Sequence, residues 1–380
     1  MTSIEFSTLL FQEYDNFKEK SFKDKFITHK DILNLIANLS NENIFVEDAG
    51  KSTEEKEIKL IKFGVGEKRI FLWSQMHGDE PTATMAIFDI LNFIINNFNS
   101  NEIQNIYKST TLYFLPMLNP DGADRFERRN IFGIDINRDA QKLESVEAKI
   151  LKNLRDKLSP DFGFNLHDQD PRYTVGRNGK VATIALLAPP IDFEKSENEV
   201  FQKAKKVTAH FSSVMKNFID GNISRYLDDF EPRAFGDNIQ KSGTSTILVE
   251  SGGWQNDENK FFIRKLNCVG LLSTILAIAN DEYLQADLKN YEELPLNEKF
   301  LYDFIFRNTK LSHNGKSISV DVGINFEDSK REKIRVMEIG DLKNFSAFNE
   351  INLNGKIISG DKIKWDLVLD TNEMKKIFNL

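Results

Sequence analysis

The sequence predicts an α/β fold: a mixed, mostly parallel central sheet with helices on both faces, followed by a small β-rich domain. Between about residues 58 and 250, short apolar runs typical of strands alternate with longer segments of helical periodicity. Beyond about residue 290, polar and apolar residues alternate between Asn-Gly and Ser-Gly pairs, a pattern that indicates short strands joined by turns.

Six runs are predicted to be strands of the central sheet, and several are continuously apolar, as expected for strands buried on both faces. They cover residues 57–63, 69–75, 111–118, 161–166, 182–188 and 245–250. Apolar residues at helical spacing predict helices around 87–98, 144–158, 200–218 and 262–278. In an open α/β sheet, ligands bind where the strands end at their carboxyl edge.

The predicted division is a catalytic domain over residues 1–290, with a helical N-terminal stretch over about 1–45, and a β-rich domain over 291–380. The strands expected in the second domain cover residues 317–326, 333–339 and 362–369. No pattern in this domain predicts a role for it, and none predicts an oligomeric state.

Composition excludes several classes of function. The formal net charge is -8, from 58 acidic and 50 basic residues, so a nucleic-acid partner is not expected. The N-terminus has no basic region followed by an apolar core, as a signal peptide would have. No apolar run is expected to reach the roughly 20 residues that span a bilayer. A cytoplasmic protein without a membrane partner is therefore predicted. Cys268 has no partner for an internal disulfide and is expected to pack inside a helix.

Two histidines stand where a ligand site is expected. His77 and His167 each follow an apolar, strand-like run, and Glu80 lies three residues after His77. Imidazole and carboxylate groups are both good zinc ligands, and a catalytic zinc takes three protein ligands. The alternative for the pair is an exposed histidine and a glutamate that favours a helix N-terminus. The remaining histidines, His29, His210 and His313, are expected to be structural or solvated.

A polar segment lies between the two histidines. It contains the turn sequence Asn-Pro-Asp-Gly at 119–122, followed by Arg128 and by the pair Asn137 and Arg138. An arginine fork matches a carboxylate, so this segment could hold an anionic substrate, or it could be a salt-bridged surface loop. Glu250 ends another apolar strand; it is either solvated at the strand end or placed in a cleft as a general base.

Taken together, these residues resemble the zinc carboxypeptidases related to carboxypeptidase A. The shared elements appear in the same order at similar spacing over about residues 58–280: His-Gly-Asp-Glu at 77–80, Asn-Pro-Asp-Gly at 119–122, Arg128, Gly-Ile-Asp-Ile-Asn-Arg at 133–138, His167 and Glu250. The resemblance implies one zinc ion held by His77, Glu80 and His167. It implies Glu250 as general base and later general acid, Arg128 at the oxyanion, and Asn137 with Arg138 at the terminal carboxylate of a peptide substrate.

Several positions depart from the digestive members of that family. Asp79 replaces a substrate-binding arginine, and a carboxylate there favours an amino group. The resulting His-Gly-Asp-Glu resembles the motif of bacterial murein-peptide amidases, so a peptidoglycan-derived peptide is one expected substrate. Asp168 follows His167, either as an acid that orients a metal ligand or as a solvated loop acid, and Tyr226 is the candidate for the mobile, substrate-capping tyrosine. Two alternatives stay open: a deacylase of N-acyl amino acids, similar to aspartoacylase, and a non-catalytic module that binds carboxylated peptides.

Overall fold

The computed structural model describes residues 1–39 and 42–378, which form two compact units. The first unit comprises Met1–Pro171 and Thr183–Leu296, and the second comprises Arg172–Ala182 and Asn297–Leu380. The division predicted at residue 290 does not assign residues 172–182 to the second unit, because a segment this short has no periodicity of its own.

The helices of the described chain are numbered α1 to α11. Their bounds are Ser3–Phe17, His29–Ala37, Thr82–Asn96, Asn101–Ser109, Pro120–Ala123, Val146–Leu158, Glu199–Ile219, Phe235–Lys241, Phe261–Ala279, Lys289–Glu292 and Thr371–Phe378. Short 3-10 turns occupy Ile136–Arg138 and Glu282–Gln285.

The strands are numbered β1 to β16. Their bounds are Ile44–Lys51, Glu57–Phe63, Lys68–Trp73, Thr110–Leu115, Phe162–Asp168, Thr174–Val175, Ile184–Leu187, Ile223–Arg225, Ser245–Ser251, Asn297–Glu298, Leu301–His313, Lys316–Phe326, Lys333–Gly340, Ser346–Asn352, Ile357–Ser359 and Val368–Asp370.

The first unit is built on an eight-stranded sheet with the order β1-β2-β4-β3-β5-β9-β7-β8. Strands β4, β3, β5 and β9 run parallel to one another, as do β7 and β8. Three pairs are antiparallel: β1 with β2, β2 with β4, and β7 with β9. The predicted α/β class with a mixed, mostly parallel sheet is therefore confirmed.

Alternate residues of β3 show how both faces of the sheet are covered. Ile70 and Leu72 belong to a core that includes the apolar sides of α1, α3, α7 and α9. Phe71 and Trp73 belong to a second core with α6 and α8. Because side chains alternate between the two faces of a strand, a strand covered on both sides must be apolar at every position.

The N-terminal stretch predicted as helical over about 1–45 contains α1 and α2. Each begins with a capping box, formed by Thr2 with Glu5 and by Thr28 with Asp31. Residues 40 and 41 lie outside the described part of the chain. The prediction is wrong from Ile44 onward, because strand β1 begins there; this edge strand is largely exposed and so has no apolar alternation.

The second unit has its own sheet and core. Strands β14-β11-β12-β13-β16 form the sheet in that order, β15 also pairs with β11, and β6 pairs with β10. The strands predicted at 317–326 and 333–339 correspond to β12 and β13, and the β-rich class is confirmed. The strand predicted at 362–369 is wrong for most of its length: only Val368–Asp370 is a strand, and Asp366 has a positive φ of 63° that breaks the extended run.

Helix α9 is a core element of the first unit. It is 19 residues long with a mean hydropathy of 1.6, enough to cross a membrane by length and composition, which corrects the expectation that no apolar segment reaches that length. In the fold, 83% of this apolar window is buried. Cys268 lies in the buried part, as expected for a packed small side chain.

A buried ion pair joins α3 to α9. The Arg264 guanidinium donates to both carboxylate oxygens of Asp89, at 2.7 Å for Nε to Oδ2, and Tyr14 also donates to Asp89 at 2.6 Å. We expect Arg264→Met to lower the free energy of unfolding by about 3–5 kcal/mol, because an unpaired carboxylate would remain buried. Urea titration measures this. The control is Glu199→Gln, which removes the exposed ion pair with Lys203 and should cost less than about 1 kcal/mol.

His210 provides a prediction on pH. Burial lowers its pKa to about 4, although Glu282 acts in the opposite direction, and its Nε2 lies 3.2 Å from the Ser3 hydroxyl. The folded state therefore binds fewer protons than the unfolded state, in which the pKa is about 6.5, so stability falls as the pH drops from 6.5 to 4. We expect His210→Gln to remove up to about 3 kcal/mol of this acid dependence. Chemical denaturation of wild type and His210→Gln at several pH values measures this. An equal loss of stability between pH 6.5 and 4 in both proteins would contradict the prediction.

Candidate metal centre and active site

The segment after β3 places the first two candidate ligands. It packs on the turn at 119–122 so closely that a Cβ on Gly78 would lie 2.1 Å from the carbonyl carbon of Gly122, which requires glycine. Gln75 has a positive φ of 48° and donates from Nε2 to the Gly78 carbonyl at 2.9 Å. Helix α3 begins only at Thr82. His77 and Glu80 are held by the turn, not by a helix.

His77, Glu80 and His167 converge on one point. All three are buried, and their ligand atoms lie within 4.8 Å of one another. The Nδ1 atoms of the two histidines are 3.2 Å apart, and the Glu80 oxygens lie 2.8 Å and 2.7 Å from them. Two nitrogens at about 2.05 Å from a tetrahedral zinc are separated by about 3.3 Å, so the two imidazoles have the spacing that this metal requires.

Hydrogen bonds select the histidine nitrogens that face this point. His77 Nε2 lies 3.0 Å from the Asp135 carboxylate, so Nε2 keeps its proton when the imidazole is neutral, and Nδ1 is then the atom that offers a lone pair to a metal. His167 Nε2 is buried without a hydrogen-bond partner among the described residues, and its Nδ1 faces Glu80. The donor set of two nitrogens and one carboxylate fits zinc and leaves a fourth position for water or substrate.

The charges of the metal-free group depend on one another. Burial by itself lowers the pKa of His77, but Glu80 and the hydrogen bond to Asp135 outweigh it and raise the pKa to about 9. Burial lowers the pKa of His167. Burial raises the pKa of Glu80, but the two histidines outweigh it and hold the pKa far below its ordinary value. A cation bound here must displace the proton of His77.

Glu250 stands beside this group. It lies on β9 directly opposite His167 on β5, in a parallel register that directs both side chains to the same face of the sheet. Burial raises the pKa of Glu250 to about 8, and the charge of Glu80 acts in the same direction. A desolvated carboxylate near a metal centre is suited to accept and return a proton.

Arg128 approaches the metal ligands from the polar segment. Its Nη1 donates to Glu80 at 2.8 Å, and its Nε and Nη2 donate to Asp135 at 3.3 Å and 3.2 Å. Its side chain is still 43% exposed, so it remains accessible to a substrate. The structure therefore places Arg128 in direct contact with the candidate ligand Glu80. The order of residues in the sequence does not predict this contact.

Asn137 and Arg138 lie on the 3-10 turn that follows Asp135. Asn137 Oδ1 accepts from the backbone N–H of Phe235 at 2.8 Å, which leaves its amide N–H groups for other partners. The Arg138 side chain is 43% exposed, and its Nε is 3.8 Å from Glu231. Tyr226 directly follows β8, and its backbone N–H donates to Leu186; its role as a substrate cap stays a prediction.

Asp79 and Asp168 adjoin the candidate ligands Glu80 and His167 in the sequence. Each has one buried carboxylate oxygen without a hydrogen-bond partner among the described residues. Thr82 donates to the second oxygen of Asp168 at 2.5 Å, and the Asp168 backbone N–H donates to Glu80 at 3.1 Å. Asp168 is the last residue of β5, and burial raises its pKa to about 7, so of the two alternatives the solvated loop acid is wrong.

Asp135 is the site residue to which sequence reasoning assigned no role. It stands in the segment Gly-Ile-Asp-Ile-Asn-Arg, and its separation of 58 positions from His77 hides their contact. An acid two residues before the Asn-Arg pair is a signal that could have singled it out.

We expect Asp135→Asn to weaken zinc binding by about 10–100-fold, because the asparagine lacks the charge that orients His77 and increases its basicity. Competition with a zinc-binding dye measures the dissociation constant. Asp139→Asn is the matched control, since Asp139 accepts from the Ser145 hydroxyl and backbone and from the Glu144 backbone. Equal zinc affinity in wild type and Asp135→Asn would contradict the prediction.

The fold and the site define the class. A buried His-Glu-His group lies at the carboxyl edge of an α/β sheet, with the Glu250 carboxylate on the neighbouring parallel strand. This donor set and the nearby carboxylate fit a catalytic zinc site.

Comparisons with known proteins agree with a zinc site. Residues 30–159 match the family model described as zinc carboxypeptidase. "Carboxypeptidase 2" of Trichophyton rubrum is 25% identical over 175 residues, which are 46% of this chain and 28% of that protein. "Carboxypeptidase E" of Caenorhabditis elegans is 30% identical over 309 residues, or 72% of this chain and 65% of that protein. The chain thus spans less than two thirds of either relative.

Solved structures share the fold. The metallo-carboxypeptidase from Burkholderia cenocepacia has a TM-score of 0.54 at 16% identity, covering 67% of this chain and 69% of that one. Bovine thrombin-activatable fibrinolysis inhibitor, solved with tick carboxypeptidase inhibitor, has a TM-score of 0.54 at 13% identity, covering 67% and 98%. Residues 30–159 thus resemble the zinc carboxypeptidase family in sequence, and the chain shares the fold of the metallo-carboxypeptidases.

Proposed function

We propose that this protein is a zinc-dependent metallocarboxypeptidase that hydrolyses the peptide bond next to a C-terminal, carboxylate-bearing residue. The observation that carries the proposal is the convergence of His77, Glu80 and His167, with Glu250 opposite His167 in the next strand. One zinc ion per chain is expected. When bound, zinc supplies a Lewis acid that activates water and polarises the scissile carbonyl.

The protein's own residues then move the protons. Glu250 accepts a proton from the attacking water and later returns it to the leaving amine. Burial and Glu80 raise the Glu250 pKa in the metal-free group, and a cation at the ligand site would lower it and leave the carboxylate available as a base. Asp135 keeps the proton of His77 on Nε2. Arg128 donates to the carbonyl oxygen as negative charge develops there, a contribution of a few kcal/mol for one such donor.

Asn137 and Arg138 supply the specificity for a chain end. The Asn137 amide N–H groups and the exposed Arg138 fork can hold the α-carboxylate of the last residue, which sets the distance from the chain end to the scissile bond. The substrate partner is therefore a peptide or a small amide with a free carboxylate.

The test compares a blocked dipeptide with its C-terminal amide, using zinc-loaded enzyme and mass spectrometry of the released amine. Hydrolysis of the acid form only is expected, because the amide lacks the charge that Arg138 binds. Faster turnover of N-acetyl or N-succinyl amino acids would support a deacylase instead. A wild type that binds peptides without cleaving any of them would support a binding module.

The finer hypothesis, a peptidoglycan-derived peptide, depends on Asp79. Its buried and unpaired Oδ1 lies next to the ligand Glu80 and favours a substrate with an amino group near the scissile bond. A peptide that ends in diaminopimelate should then be cleaved faster than a peptide of equal length without that amine. Asp79→Asn should abolish the difference, and an equal rate for both peptides in wild type would exclude the hypothesis.

A further inference from the structure

A cavity of about 460 Å³ opens beside Arg138 in the first unit. Four cationic side chains contribute to its lining: Arg129, Arg138, Lys142 and Arg233. Asn137 and Arg138 are proposed to bind one α-carboxylate. Four positive charges are more than that single carboxylate needs.

Three acids line the same cavity, and two of them form hydrogen bonds elsewhere. Asp135 is bonded to His77 and Arg128. Asp139 accepts three hydrogen bonds from Ser145 and Glu144, which fix it as a local cap. The third acid, Glu144, is exposed and pairs with Lys142 at 3.3 Å, so a carboxylate ligand would have to replace Glu144 at Lys142.

Arg129 has the most available fork in the cluster. Its Nη1 donates to the backbone oxygen of Gly133 at 2.9 Å, and it forms no ion pair within the described chain. Lys142 has one exposed partner, Glu144, at 3.3 Å, a contact worth little in water. Arg233 is different, because it is held in a two-point contact with Glu231 and contributes mainly charge.

We propose that this cavity, defined by Arg129, Lys142 and Arg233 beside Arg138, binds a second carboxylate and selects peptides whose C-terminal residue is acidic. The inference rests on the proposed carboxypeptidase function. The α-carboxylate occupies Asn137 and Arg138, and the acidic side chain extends into the cavity toward Arg129 and Lys142. A planar guanidinium fork fits a carboxylate in a two-point contact that a neutral amide cannot replace.

The experiment measures kcat/KM of zinc-loaded enzyme on N-acetyl-Ala-Glu, N-acetyl-Ala-Gln and N-acetyl-Ala-Lys. Glutamate and glutamine have the same shape, so their ratio isolates the charge. We expect glutamate to be preferred over glutamine by at least about tenfold, the factor for one charge-assisted hydrogen bond, and mainly through KM. The preference should decrease as salt is added.

Variants locate the effect. Arg129→Gln and Lys142→Gln should each lower the ratio of glutamate to glutamine by about threefold or more. Lys157→Gln makes the same charge change on an exposed side chain that does not line the cavity, and it should leave the ratio as in wild type. Calorimetric titration of both dipeptides into zinc-loaded Glu250→Gln protein should show the same preference in affinity.

The outcomes separate the two proposals. Hydrolysis of all three dipeptides with glutamine or lysine preferred would overturn the acidic subsite and leave the carboxypeptidase function standing. A glutamate preference that survives in both Arg129→Gln and Lys142→Gln would also overturn the subsite. No hydrolysis of any dipeptide by zinc-loaded protein would overturn the carboxypeptidase function, and with it the subsite.

Discussion

Glu250→Gln is expected to lower kcat by about 10²–10⁴-fold while the protein still binds one zinc per chain. The amide keeps the shape of the carboxylate but cannot accept the proton of the attacking water. Burial and the neighbouring Glu80 raise the pKa of Glu250 to about 8, so its protonation state responds strongly to a cation at the ligand site. Steady-state hydrolysis of a blocked dipeptide, with zinc content measured by elemental analysis, tests both parts.

The control is Glu47→Gln, a change of the same kind on the exposed edge strand β1, which should leave kcat at the wild-type value. If Glu250→Gln retained full hydrolytic activity with zinc bound, Glu250 would not be the general base. Another carboxylate near the ligands, such as Asp168, would then have to perform that step.

His167→Ala is expected to abolish stoichiometric zinc binding. Two protein ligands would remain of three, and the lost imidazole is the one that β5 brings to the site from a different strand. Wild-type Tm should rise with added zinc, because a ligand that binds only the folded state stabilises it, whereas the Tm of the variant should stay constant. Elemental analysis and thermal unfolding at several zinc concentrations measure this.

The control is His313→Ala, which removes a histidine whose side chain is 64% exposed and should leave the zinc content unchanged.

Wild-type zinc affinity should also fall as the pH is lowered below about 9, because the metal must displace the proton of His77. A His167→Ala protein that retains one tightly bound zinc would show that the three residues are not the metal site.

The local sequence was sufficient for the class of the fold and for the candidate ligands. Helical and strand periodicities are local, so α6, α7 and α9 are found close to their predicted positions. His77, His167 and Glu250 could be singled out because each follows an apolar run, and parallel strands end at one edge of the sheet. Sequence periodicity failed where burial is partial, as in the exposed edge strand β1, which has no alternation to read.

Contacts between distant segments were decided only by the tertiary structure. Asp135 and His77 meet across 58 positions, and Arg129 and Arg233 line one cavity although about a hundred residues separate them. Such contacts depend on strand order and on the paths of loops, which no local period records. Residue type and spacing thus determined that zinc chemistry was possible here. The packing of one loop against another decided which nitrogen faces the metal site and where four cations meet.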